Sequence, residues 1–137
     1  MEECIFCKII EGEIPAKKLY EDDKVIAILD INPANEGHTL VITKKHYKNI
    51  LEVPPEDLLG IMETGIKIAK AQMKGLEAGG FNIGINTNEV AGQVVEHFHM
   101  HIIPRFKGDG LEEWERRGRY NEGKQEEIFG KIQSFLK

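Results

Sequence analysis

Three of the chain's five histidines fall within five residues, in His97-Phe98-His99-Met100-His101-Ile102-Ile103. Imidazoles alternating with apolar side chains make the period-two pattern of a half-buried strand. Successive side chains of a strand point to opposite faces. His97, His99 and His101 therefore share one face, while Phe98, Met100 and Ile102 share the other and can enter a core. Same-face neighbours are about 6.6 Å apart, so His97 and His101 stand roughly 13 Å from each other at the backbone. A metal ion bound at about 2.0–2.1 Å is then beyond the joint reach of all three. An adjacent pair could share an ion and leave one histidine for other work. A plain row of surface histidines is the alternative, but three in succession suit a bare surface poorly and a core without partners worse. Imidazole titrates near neutrality and serves as nucleophile, acid or base, which suits phosphoryl chemistry. Just upstream, Ala91-Gly92-Gln93 can present backbone N–H groups, with Gly92 permitting close approach of an anion.

The rest of the chain sets bounds on that reading. Its 137 residues, 41% of them apolar, are enough for one domain with a real core. The longest unbroken apolar run, Val25 to Leu29, is far short of a membrane span of roughly 20 residues. The acidic opening Met1-Glu2-Glu3 does not read as a secretory signal, and the expectation is a cytoplasmic protein with no membrane partner. With 23 acidic and 18 basic residues the net charge is −5, against a general nucleic-acid binder. Two basic clusters, Lys44-Lys45-His46-Tyr47-Lys48 and Arg116-Arg117-Gly118-Arg119, read as solvated faces.

No repeat or long linker interrupts the sequence, so residues 1–137 are taken as one domain. A short apolar stretch, Cys4 to Ile10, predicts one or two helical turns ended by Gly12 and Pro15. Strands are expected at Lys17 to Tyr20, Lys24 to Asp30, His38 to Thr43, Phe81 to Asn86 and His97 to Ile103. Between the third and fourth, Pro54-Pro55-Glu56-Asp57 opens a helix of about five turns that stops near Gly79-Gly80. Leu58, Met62, Ile66, Ala69, Met73 and Leu76 mark its apolar stripe. Ile128, Ile132, Phe135 and Leu136 suggest a last helix. Five strands and two main helices in this order predict an α+β fold rather than repeated βαβ units.

His97-Phe98-His99-Met100-His101-Ile102-Ile103 fits a His-φ-His-φ-His-φ-φ signature, and the chain resembles the histidine triad (HIT) superfamily, in its HINT-like branch of small nucleotide hydrolases. The resemblance also runs through Cys4 to Ile10, Leu29-Asp30-Ile31-Asn32-Pro33, Gly37-His38-Thr39-Leu40-Val41-Ile42, Lys44-Lys45-His46 and Ile103-Pro104-Arg105, covering roughly residues 4 to 110, with the tail from Lys107 to Lys137 beyond its well-matched part. It implies a HIT-like fold with a five-stranded antiparallel sheet, one long helix and a C-terminal helix. It implies an enzyme in which His99 attacks the α-phosphorus of a purine nucleotide derivative such as adenosine 5′-phosphoramidate. A nucleotidyl-histidine intermediate then hydrolyses to a nucleoside monophosphate, dividing one displacement into two easier ones. His101 and His38 match positions that contact phosphate and set protonation. Gly92 and Gln93 match a phosphate-holding loop and Asn86 an active-site asparagine. Asp30 matches the acid that binds the ribose hydroxyls. Ile5, Phe6, Ile9, Ile28, Ile31 and Leu40 match an apolar purine pocket, with ordinary core as the alternative for each. Val94 departs from a frequent serine, removing one hydroxyl contact and bearing on substrate preference.

Cys4-x-x-Cys7 needs two more ligands for a closed tetrahedral zinc site, and histidines must supply them, from His97, His46 and His38 if His99 and His101 serve phosphate. The bacterial and archaeal proteins of the resembled type imply Cys4, Cys7, His46 and His97, one structural zinc per chain and no catalytic metal. Free or redox-paired thiols are the alternative. The resemblance also implies a homodimer built on the long helix and a strand edge. Competing readings are a dinucleoside polyphosphate hydrolase, a metalloenzyme with two triad histidines on an open metal site, and a nucleotide-binding regulator or scaffold with incidental hydrolysis. Trp114 either reaches a neighbouring active site or anchors the tail.

Overall fold

The computed structural model describes residues 4–111 and 118–136; Trp114, Arg116 and Arg117 lie outside them. The chain opens with α1 (Ile5–Ile10), capped by Cys4, whose Sγ accepts the Cys7 backbone N–H. Gly12, at φ +84°, turns it toward the sheet. Then come β1 (Lys18–Glu21), β2 (Val25–Leu29), β3 (Thr39–Thr43), α2 (Pro55–Gly75), β4 (Gly80–Gly84), β5 (His99–Arg105) and α3 (Lys124–Gln133). The five strands form one antiparallel sheet in the order β1-β2-β3-β5-β4. This is the expected α+β architecture, with the long helix between the third and fourth strands. No helix among the described residues is long and apolar enough to cross a membrane.

The sheet separates two apolar clusters, as strand alternation requires. On one face Val25, Ala27, Val41, Phe98, Met100 and Ile102 pack with Ile61, Ile68 and Ala69 of α2. On the other, Ile26, Ile28, Leu40 and Ile42 pack with Phe6 and Ile9 of α1. The register pairs Leu40 with His101 and Ile42 with His99, which puts the histidine face on the α1 side. β5 starts two residues later than the periodicity predicts. His97 precedes it in a bend, its N–H donated to Val95 O, while Phe98 N–H is donated to Tyr47 O.

The largest departure concerns the face of α2. The helix starts as predicted, with proline at its first position and Glu56 and Asp57 in its first turn. Its buried face, however, is Ile61, Thr64, Gly65, Ile68, Ala69 and Gln72. Of the predicted stripe, Ala69 is buried and Leu58 partly so, whereas Met62, Ile66, Met73 and Leu76 are exposed. Close packing explains the choice, because a Cβ on Gly65 would stand 2.5 Å from Met100 Cε and 3.2 Å from Ile102 Cδ1. The helix thus approaches β5 on its small residues. The C-terminal segment gives a second difference: α3 forms, but none of its residues is buried.

Candidate active site and metal centre

His99 lies near the start of β5, and its Nδ1 is 2.8 Å from His97 O. A carbonyl only accepts, so Nδ1 carries the proton and Nε2 keeps a bare lone pair. The edge of Phe6 stacks against the same ring, with centroids 5.0 Å apart. Burial lowers the His99 pKa, which keeps the imidazole neutral and able to attack.

A second pair is ordered by the same logic. His38 Nδ1 accepts the Ala34 backbone N–H at 2.9 Å, so the proton of a neutral His38 sits on Nε2. That nitrogen faces His101 Nδ1 at 2.9 Å, which makes His101 the acceptor and leaves its Nε2–H as an outward donor. The ring centroids are 5.2 Å apart, close to the N–N distance plus two ring radii, so the bond is nearly in line. Such a gap holds a proton, whereas two nitrogens opposed across a metal would stand about 4 Å apart. Asp30, which accepts the Asn32 N–H on Oδ1, approaches His38 Nε2 with Oδ2 at 3.7 Å. Burial lowers the pKa of both histidines, that of His101 to about 4, with His99 and His38 adding to the effect there.

The phosphate-loop candidates sit before β5. Gly92 takes φ +97°, and a Cβ there would press on the Asn86 amide at 3.2 Å; Asn86 Nδ2 donates to Gly92 O. Gln93 is buried and spends its side chain on the backbone: Nε2 donates to Lys48 O and Val95 O, and Oε1 accepts the Asn88 N–H. Its own N–H goes to Asn88 O. Gln93 therefore braces the loop and does not offer its amide to a ligand, while nothing among the described residues accepts the Val94 N–H. The Val94 side chain is 92% exposed. Of the apolar candidates, Phe6, Ile9, Ile28 and Leu40 pack together as core, whereas Ile5 is exposed at 44% and Ile31 at 87%.

Cys4, Cys7, His46 and His97 come together at the junction of α1, β3 and the start of β5. His46 Nδ1 and His97 Nδ1 are 3.1 Å apart, Cys4 Sγ and His97 Nδ1 3.2 Å, Cys7 Sγ and His46 Nδ1 3.3 Å, and Cys7 Sγ and His97 Nδ1 3.6 Å. A tetrahedral ion with bonds of about 2.0–2.3 Å needs ligand separations of roughly 3.3–3.8 Å, so the four atoms lie near the corners of such a site. The two rings have centroids 4.7 Å apart, short of an in-line pairing, so their lone pairs meet beside the N–N line. His97 Nε2 donates to Thr43 O at 2.7 Å, which leaves Nδ1 bare, as a ligand's nitrogen must be. Burial and the neighbouring Cys4 push the Cys7 thiol up to about 11, so ionising it at neutral pH calls for a nearby cation. The donor set fits zinc. His38, the other histidine candidate, lies instead in the His101 pair.

Several groups that order the site carry no side-chain signal in the sequence. The carbonyls of Thr43, Lys48 and His97 and the N–H of Ala34 set three histidine tautomers and one loop. Backbone groups of this kind are visible only once the fold brings them to the rings.

The HIT-domain family model matches residues 11–108. The chain is 55% identical over 107 residues, 78% of its length and 82% of the relative's, to an uncharacterised HIT-like protein of Methanocaldococcus jannaschii. It is 45% identical over 109 residues to an adenylylsulfatase, HINT3, of Arabidopsis thaliana, covering 80% of this chain and 55% of that one. A zinc-bound histidine triad family protein of Mycobacterium smegmatis superposes with a TM-score of 0.78 at 39% identity, over 97% of both chains. With the triad at and just before the start of β5 and these matches along most of its length, the chain belongs to the HIT-domain family.

Proposed function

We propose that the protein is a nucleotide hydrolase that acts at the α-phosphate of purine nucleotide derivatives, of the adenosine 5′-phosphoramidate type, through a nucleotidyl-histidine intermediate. The observation that carries this reading is the 2.8 Å bond from His99 Nδ1 to His97 O, which leaves a neutral imidazole with its Nε2 lone pair free. Nε2 attacks the α-phosphorus as the bond to the leaving amine breaks, the amine departs with a proton taken from solvent, and the Nδ1–H bond to the carbonyl stabilises the charge that develops on the ring. His101 Nε2–H donates to a phosphate oxygen, and the Val94 N–H is one donor of the loop with no acceptor among the described residues. Water then cleaves the phosphorus–nitrogen bond, releasing a nucleoside monophosphate and restoring His99. Asp30 binds the ribose hydroxyls, with Ile5 and Ile31 as the exposed apolar residues beside the base. A relative named for adenylylsulfatase activity supports a substrate that carries an adenylyl group.

In this reading one zinc per chain is structural, held by Cys4, Cys7, His46 and His97. When bound it supplies a fixed tetrahedral corner and compensates the thiolates; the chemistry belongs to the histidines. Residue composition of the outer face of α2 supports a homodimer. Leu59, Met62, Ile66 and Met73 are exposed on a single helix, and β4, paired with β5 on one side, has no strand on its outer side among the described residues.

The test is AMP release from adenosine 5′-phosphoramidate by wild type and His99→Ala, with and without EDTA. Turnover that survives EDTA and vanishes in the variant is expected. Turnover that EDTA abolishes while elemental analysis still finds one zinc per chain would favour a catalytic metal, and turnover retained by His99→Ala would rule out the histidine nucleophile.

A further inference from the structure

We propose that Gln72 of α2 is a positioning residue for the His38–His101 pair, acting through the backbone on the opposite face of the sheet; the proposal rests on the hydrolase reading above. Gln72 is buried, and its Nε2 donates to Gly37 O at 3.0 Å and to Ile102 O at 3.1 Å, with Thr39 Oγ1 at 3.5 Å. Gly37 is the chain neighbour of His38, and Ile102 is the chain neighbour of His101. One amide therefore joins the two backbone segments from which the paired imidazoles project.

Its place in the sheet gives the bridge its importance. The β3–β5 ladder ends on the Thr39–Ile102 rung, and Gly37 O lies beyond it. Past that point no β3–β5 ladder bond sets the separation of the two segments; side-chain amides do. Gln72 acts next to the paired histidines, and Asn35, whose Nδ2 donates to Pro104 O at 2.9 Å, acts farther out. The Asp30 N–H, donated to His38 O, ties the turn to β2. Thr39 Oγ1 donates to Gly37 O at 2.8 Å. Gly37 itself, at φ +97°, turns so closely over α2 that a Cβ would collide with Leu76 Cδ1 and stand 3.3 Å from Pro104 Cγ. The last turns of the helix thus hold the turn that leads into His38. An in-line bond of 2.9 Å between two imidazoles tolerates little displacement, so a segment free to shift would break it.

A second observation argues that the amide serves more than packing. Gln72 Oε1 is the one buried side-chain polar atom without a hydrogen-bond partner among the described residues. On the buried face its nearest helix residues are Ile68 and Ala69, both apolar. An apolar side chain of similar size would remove that orphaned acceptor, and positions that keep a local penalty of this kind cluster at functional sites.

The experiment compares wild type with Gln72→Met, Gln72→Asn and Ile68→Ala. Methionine keeps the volume and loses the donor, asparagine keeps an amide too short to reach both carbonyls, and Ile68→Ala weakens the same helix without touching the bridge. The readouts are kcat and KM for adenosine 5′-phosphoramidate, melting temperature, and the 15N shifts of the histidine side chains. Both Gln72 variants are expected to lose about tenfold in kcat with KM changed by less than about twofold. The His101 Nδ1 resonance should move toward that of an acceptor without a partner. Ile68→Ala should melt lower yet keep the wild-type 15N pattern and kcat. A folded Gln72 variant with wild-type kcat and 15N pattern would overturn the proposal, as would Ile68→Ala losing both to the same degree. If wild type does not turn over the phosphoramidate, the hydrolase reading fails, while the 15N comparison still decides whether Gln72 holds the pair.

Discussion

At the scale of single residues, three backbone groups decide what three identical side chains do. His97 O fixes the proton of His99 on Nδ1, Thr43 O fixes that of His97 on Nε2, and Ala34 N–H fixes that of His38 on Nε2. One residue type thereby yields a candidate nucleophile, a candidate ligand and a donor. If His38 orders His101 as the 2.9 Å bond indicates, His38→Ala lowers kcat by about a hundredfold. His38→Gln, whose amide can place an N–H in the same direction, recovers part of the loss; equal activity of the two variants would contradict the assignment. The same pair predicts an acid-sensitive fold. Both histidines have folded pKa values below the ordinary 6.5, so the folded protein favours their neutral forms. Below pH 6.5 the unfolded chain takes up protons that the folded chain refuses, so stability falls as pH drops from 6.5 toward 4. Melting temperature should follow, and the drop should be smaller in His101→Gln, which does not titrate. Comparing the two proteins at each pH cancels the share that comes from the zinc ligands, and equal slopes would refute the prediction.

At the scale of elements, the strands were legible and the helix face was not. Five strands and the start of α2 follow from alternation, from Pro55 and from the acidic first turn, because each is a local signal. The buried stripe of α2 depends instead on which side chains let the helix approach β5. Gly65, Thr64 and Gln72 win over larger apolar residues for a reason that periodicity does not contain. The site divides in the same way. The triad and the Cys-x-x-Cys pair are visible as residue types at fixed spacing and Asp30 only through the family resemblance, whereas the bracing role of Gln93 emerges when its amide meets Lys48 O and Val95 O. The metal cluster joins elements in a consequential order. His97 belongs to the candidate zinc site through its ring and to the His99 bond through its carbonyl. Cys7→Ser should abolish zinc binding by elemental analysis and lower the melting temperature. It should also reduce kcat, because the carbonyl that orients His99 is no longer held. A zinc-free variant with unchanged melting temperature and kcat would show that the cluster has no such role.

At the scale of the whole molecule, the question is what covers the apolar surface that the fold leaves out. The sheet's two faces are both occupied, one by α2 and one by α1. Among the described residues left exposed is a row on the far side of α2, Leu59, Met62, Ile66 and Met73, next in the chain to the outer edge of β4; α3 adds Phe129 and Ile132 elsewhere. An edge strand beside an apolar helix face is a surface that a soluble chain would ordinarily guard with charge or a bulge. A second copy related by two-fold symmetry could meet both features at once, helix on helix and edge on edge, since such an interface uses the same patch twice. Stable dimers of this kind bury about 800 Å² on each partner, more than four side chains supply, so the row needs further surface, which the adjoining β4 edge offers. The expectation is that light scattering gives the mass of two chains for wild type and of one chain for Ile66→Asp, which places an unpaired carboxylate at the centre of the row. Asp substitution at Leu19, exposed on β1 at the opposite edge of the sheet, should leave the dimer intact. A single-chain mass for wild type at micromolar concentration would remove the dimer from this account. A monomer produced by the Leu19 variant alone would move the interface to the other edge.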